Sequence, residues 1–223
     1  MKNIFAILFT VVALFSNAQF IKKLSLDLNV GGRFAGALSD QYYKTDPLKV
    51  DSAQAKLSLG IHVDGGVRYQ LDSLFSIRGG ISYDGFKTTV TRVPNDTVDN
   101  SSLVSVSIEA VINLKRLKFM SFLPEKMGLN FHGGFGLSTM SNSSFKKGKE
   151  FSDPGIKGND DMINIVLGLT PQFKLNDKIS INLDLSTKLL LKQSLYVNAT
   201  QDARLNNKMG NIFNVAVGAT YKF

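Results

Sequence analysis

The stretch Ile179-Ser180-Ile181-Asn182-Leu183-Asp184-Leu185-Ser186 decides the fold. Apolar and small polar side chains alternate over eight residues, a period of two that a β-strand satisfies by sending successive side chains to opposite faces. Leu24–Gly31 repeats it as Leu, Ser, Leu, Asp, Leu, Asn, Val, Gly, and Phe213–Phe223 sustains it to the last residue. Further alternating segments centre on Leu57–Tyr69, Phe75–Tyr83, Val104–Leu114, Leu129–Leu137 and Ile163–Phe173. The apolar face is broken at Gly79 and Gly133, and the other face carries Val111, Val166 and Ala216. Eight strands therefore separate two environments.

The residue types on the polar face tell which environment is enclosed. A barrel with water outside would present Lys, Glu, Thr and Arg there. This one presents mainly Gly, Ser and Asn, with isolated Asp27, Arg78, Glu109 and Asp184. Small side chains suit the interior of an eight-stranded barrel, which has room for its own side chains and not for an open pore. The apolar face then looks outward to hydrocarbon, and only a closed barrel lets strands cross lipid with every backbone group paired. The connections agree. Gln70–Ser73 and Leu175–Lys178 are tight and rich in turn formers, whereas Leu38–Ala55, Lys87–Ser102, Ser141–Asp161 and Lys192–Gly210 read as long polar loops. Short turns on the periplasmic rim and long loops on the extracellular one are the asymmetry of outer-membrane barrels. Lys115–Lys126 is the exception.

Residues 1–18 read as a cleaved signal peptide: Lys2, an apolar run from Ile4 to Phe15, and Ser16-Asn17-Ala18 before the cut. The run falls short of the ~20 residues of a spanning helix. Residues 19–223 are then an all-β, eight-stranded, antiparallel up-and-down transmembrane β-barrel domain. The chain has 26 Lys and Arg against 18 Asp and Glu, a formal +8, and no cysteine. The missing thiol excludes disulfides, thiolate zinc sites, a cysteine nucleophile and a lipidated N-terminal Cys. Two histidines, His62 and His132, leave little for a metal site, and no cofactor is expected. The surplus positive charge reads as dispersed over loops and rims, which does not support nucleic-acid binding.

The signal, the eight strands and the ending Val217-Gly218-Ala219-Thr220-Tyr221-Lys222-Phe223 resemble the small outer-membrane β-barrels, including the OmpA transmembrane domain. The resemblance implies that Phe223, with Tyr221 on the same face, is an assembly signal read by the barrel-assembly machinery. Asn17-Ala18-Gln19, Gly65-Gly66-Val67-Arg68-Tyr69 and Gly79-Gly80-Ile81-Ser82-Tyr83 look like the PorT-type barrels of Bacteroidota. That likeness implies attachment to a larger envelope or secretion complex. Unlike full-length OmpA, the chain ends at its last strand, with no room for a peptidoglycan-binding domain.

His62, Asp64, Arg78, Glu109, His132 and Asp184 all fall near mid-depth on the polar face, where an unpaired charge is heavily penalised. We expect an interior network: Asp64, Arg78 and Glu109 clustered across the second to fourth strands, and Asp27 approaching Lys222 across the closing seam, with Asp184 nearby. Such pairs plug the lumen or, on the rival reading, form a switch that opens a narrow solute or ion path. Catalysis is the third reading, as a lipid-modifying enzyme. His132 and Ser138, six residues apart, would lie about 20 Å apart at about 3.3 Å per residue, so no catalytic set is expected. Four double glycines, Gly31-Gly32, Gly65-Gly66, Gly79-Gly80 and Gly133-Gly134, open no helix and mark bends or close contacts. Tyr69, Phe75, Phe173, Tyr221 and Phe223 on one rim and Phe34, Tyr83 and Tyr196 on the other read as interfacial girdles. Lys115–Lys126 reads equally as an inner-leaflet interfacial segment or a loose turn. Outer-membrane lipid is the expected surroundings. Lys146, Lys147 and Lys149 are placed to meet lipopolysaccharide phosphates, although a solvated charge run is the commoner explanation. Asp51-Ser52-Ala53 and Asp96-Thr97-Val98 resemble Bacteroidota O-glycosylation tripeptides.

Overall fold

The structure, a computed structural model, describes residues 18–35, 54–57, 60–91, 97–120, 122–146, 156–192 and 210–223. Residues 1–17 of the signal segment, Tyr196, Lys147, Lys149 and Asp51-Ser52-Ala53 lie outside them. After a single helical turn, α1 (Ala18–Ile21), the described residues form nine strands. These are β1 (Leu24–Ala35), β2 (Gln54–Leu57), β3 (Gly60–Gln70), β4 (Phe75–Thr91), β5 (Thr97–Asn113), β6 (Met127–Lys146), β7 (Ile156–Lys174), β8 (Ile179–Leu191) and β9 (Gly210–Lys222). β2 and β3 pair with successive parts of β4 and together make one stave, so the barrel has eight. Every pairing is antiparallel, and β1 closes on β9.

The register sets the barrel's shape. Following partners from Asp27 through Gly66, Gly80, Ser107, Gly136, Asn164 and Leu190 returns to β9 at Gly210, ten residues from Thr220, which Asp27 itself faces. A stagger of ten over eight strands tilts them about 40° from the axis, at about 3.3 Å per residue and 4.8 Å between strands. Pro171 has no N–H to donate, and the β7–β8 ladder skips Thr170 and Pro171 while β6 still pairs there.

Burial is inverted relative to a water-soluble domain. On β5 and β6 the outward Ile108 and Phe135 are 61% and 69% exposed, whereas the inward Glu109 and His132 are 2% and 7% exposed. The inside is not wholly polar. Leu103, Met140, Met162, Leu190 and Ile212 turn inward and pack into a fully enclosed apolar cluster toward the extracellular end.

One expectation about the connections changes. β4 to β7 run on through much of the segments read as the second and third long loops, leaving only residues 92–96 and 147–155 between them. Thr88, Thr89, Val98 and Thr97 suit a strand but stand beyond the lipid-facing stretch, so no apolar alternation marks them. Lys146 and Thr97 accordingly lie in paired strands. The Lys115–Lys126 connection contains two short 3₁₀ turns, Leu114–Arg116 and Lys118–Met120. Lys115 Nζ donates to the Pro124 and Glu125 carbonyls at 2.7 and 2.6 Å and closes the loop on itself.

Candidate functional site

The site is an ionic network threaded through the middle of the lumen. Its charged members come from inward positions on six staves, Thr170 and Thr220 join from the other two, and glycines on the same face clear space for them. A Cβ on Gly66 or Gly80 would stand 2.6 or 2.7 Å from the Arg78 guanidinium, and one on Gly168 only 2.1 Å from His132 Nε2. These residues are glycine because long charged side chains lie across them. Gly31 and Gly134 fit the close-contact expectation differently: there an added Cβ would strike backbone of the neighbouring strand. Gly79 meets nothing within 4 Å, so no contact requires it.

Arg78 is the hub. Its guanidinium donates to Asp64, reaches Glu109 Oε1 at 3.0 Å and stands 3.4 Å from Asp27 Oδ2. Arg68 Nη2 donates to Asp27 Oδ2 at 2.8 Å. Glu109 passes the chain to His132, whose Nδ1 lies 2.8 Å from Glu109 Oε2 and whose Nε2 lies 3.1 Å from Asp184 Oδ1. An imidazole completes both contacts only as a double donor. Hydroxyls and an amide fill the other carboxylate lone pairs: Ser107 on Glu109 (2.5 Å), Thr170 on Asp184 (2.8 Å), Thr220 on Asp27 (2.7 Å) and Asn29 on Asp64 (2.9 Å). Four carboxylates are thus held by two guanidiniums, one imidazole ring and neutral donors. Breaking such a buried set costs far more than the set contributes net, so its value lies in fixing one arrangement of the lumen.

The structure brings Asp64, Arg78, Glu109, Asp27 and Asp184 into this one network. Lys222 is not part of it. It lies opposite Ser25, two residues rimward of Thr220, and is exposed at the mouth, so it does not meet Asp27. Arg68 takes that partnership instead because β3 places it deeper, opposite Ser25 on the other side. A second cluster lies above. Asp84 accepts from Lys188 Nζ at 2.7 Å and contacts His62 Nδ1 at 2.6 Å, Lys188 also donates to Ser82 at 2.5 Å, and the buried Arg33 lies within electrostatic reach. Arg33, Asp84 and Lys188 share the inward parity of Asp27, Arg78 and Asp184. Extending three alternating segments by one or two residues would have found them.

Above this cluster the apolar group of Leu103, Met140, Met162, Leu190 and Ile212 packs together inside the barrel. Among the described residues the central chamber is about 30 Å³, space for about two water molecules. Below it, a polar mouth of about 250 Å³ opens at the rim where β1 begins and β9 ends, and Arg68, Val111 and Asn130 line both spaces. Ser138 bonds Ser105 and Asn164 at 2.8 and 2.6 Å, away from either histidine. Tyr221 and Phe223 meet edge to face at 5.1 Å on the outer surface beside the seam. Tyr69 stacks on Phe20 at 4.8 Å. Phe75 and Phe173 at that rim, and Phe34 and Tyr83 nearer the other, all face outward and exposed.

Comparison with solved structures tells what this architecture is. The chain superposes on a major outer membrane protein from Thermus thermophilus with a TM-score of 0.53 at 11% identity, over 90% of this chain and 99% of that one. This is the fold of the outer-membrane β-barrels. Neisserial surface protein A gives a TM-score of 0.50 at 10% identity, over 90% and 97% of the two chains. At these identities the likeness is one of fold alone. No protein-family model matches the chain, and no curated protein matches it in sequence.

Proposed function

We propose that this chain is an integral outer-membrane β-barrel of a Gram-negative bacterium with a plugged lumen. Its role is non-enzymatic: structural, adhesive or accessory to an envelope complex. The single observation that carries the reading is the inversion of burial, with exposed leucine, isoleucine, valine and phenylalanine outside and a hydrogen-bonded ionic network inside. An apolar belt of this kind is stable against hydrocarbon and a liability in water. The lumen is closed twice, by charges at mid-depth and by the apolar cluster above, which favours a scaffold over a conduit. Both histidines are enclosed and committed to carboxylates, which favours a structural role for them over proton transfer to a lipid substrate.

The test is fractionation of native membranes. The protein is expected in the outer-membrane fraction, released by detergent and not by high salt or carbonate; release by salt alone would overturn the reading. Within it, the likeness to PorT-type barrels favours the accessory role. Crosslinking in native membranes followed by mass spectrometry is expected to return a stoichiometric envelope partner. A chain recovered alone, binding host-type surfaces through its outer loops, would favour adhesion instead.

A further inference from the structure

Charge is distributed unevenly between the two ends of the barrel. Within 20–23, 70–75, 114–126, 174–179 and 222–223, which surround the mouth, nine Lys and Arg stand against three Asp and Glu. This collar holds a surplus of six out of a formal +8 for the whole chain. It is therefore not the dispersed charge that composition suggests. Its largest piece is the connection between β5 and β6, which carries Lys115, Arg116, Lys118 and Lys126. The same connection exposes two aromatic rings, Phe119 at 66% and Phe122 at 74%, left largely uncovered by the described residues. Within the same connection Lys115 clamps the Pro124 and Glu125 carbonyls. The connection is flanked by Ile112 and Met127, on the face that bears the lipid-facing residues Ile108 and Phe135.

We propose that the 114–126 connection is a binding site for anionic phospholipid in the periplasmic leaflet. Phe119 and Phe122 enter the headgroup and upper acyl region, and the surrounding Lys and Arg meet the phosphates. Aromatic rings carrying nearby cations are the side-chain set that this depth favours, since each apolar body is buried while the charge stays at the polar level. Charge complementarity selects the occupant: a surplus of six attracts a lipid surface bearing net negative charge and gains little from a zwitterionic one. The site rests on the outer-membrane reading above.

The protein has no tryptophan, so a single introduced indole reports without background. F122W and, separately, F135W are reconstituted into vesicles of phosphatidylcholine with or without phosphatidylglycerol, with bromine placed either near the glycerol end or mid-chain. F135W, in the outward belt, is expected to be quenched in both compositions. F122W is expected to be quenched best by bromine near the glycerol end, with quenching rising about threefold when phosphatidylglycerol is present. Adding R116Q, K118Q and K126Q to F122W is expected to abolish that rise, while the same three changes leave the F135W signal as it was. Absence of quenching in F135W overturns the membrane reading itself. Quenching in F135W but not in F122W, or an F122W signal indifferent to anionic lipid, overturns the site alone.

Discussion

At the residue scale, the lumen is an exercise in matching long side chains to glycine gaps. Gly168 exists for His132, and the predicted cost follows: Gly168→Ala pushes the ring off Asp184 and destabilises the barrel by about 1–3 kcal/mol, the range for overpacking. Gly79→Ala is the control, since its Cβ meets nothing, and is expected within about 0.5 kcal/mol of the parent. Urea unfolding in lipid vesicles measures both, and equal losses would refute the steric account. Arg78 is the harsher case. Arg78→Leu strips the shared cation from Asp64, Glu109 and Asp27, for an expected loss of about 3–5 kcal/mol in the same assay. The outward Ile108→Ala, by contrast, changes only lipid contact.

At the scale of elements, two hairpin turns use the same device. Asp72 Oδ1 accepts from the Leu74 and Phe75 amides at 2.7 and 2.8 Å, and Asn176 Oδ1 accepts from Lys178 and Ile179 at 2.9 and 2.8 Å. Each side chain caps its own turn and fixes where the next strand begins. The two amide hydrogen bonds hold the Asp72 carboxyl below its ordinary value of 3.8. The contribution is present above that value and is lost as pH falls through the lower, folded-state value. The Leu74 and Phe75 amide resonances are therefore expected to titrate below pH 3.8 in the parent and to be flat in Asp72→Asn, which keeps an acceptor without a charge. The Asn176 cap carries no titrating group of its own. Lys174 and Asp177 also pair across that turn at 2.8 Å, but both are exposed, and Asp177→Asn is expected to change stability little.

At the scale of the whole molecule, the proposed closure is redundant. The ionic layer and the apolar cluster occupy the interior at different heights, so removing one leaves the other. Leu103→Ala with Met140→Ala is expected to lose about 2–5 kcal/mol per site in unfolding while planar-bilayer recordings stay free of discrete conductance steps. Discrete steps in the parent protein would show that the lumen conducts and would overturn the plugged reading. The stagger of ten residues ties these layers together: it lets inward side chains from distant strands, such as Lys188 of β8 and Asp84 of β4, reach each other across the axis.

Much of this was legible in the residues alone. Alternation at Ile179–Ser186 and its repeats is a property of the strand itself, so strand number, the inward face and the membership of Asp27, Asp64, Arg78, Glu109 and Asp184 on that face followed from parity. Lys222 shared the parity and still failed as a partner, because parity assigns a face and not a depth; depth depends on stagger, which only closure of β1 on β9 sets. Leu103, Met140, Met162, Leu190 and Ile212 were hidden for a related reason. Near the extracellular end apolar residues turn inward, and a pattern that equates apolar with outward cannot register the change. Local periodicity determined which side of the sheet each side chain takes, while the partner it meets across the lumen was decided by how the strands shear as the barrel closes.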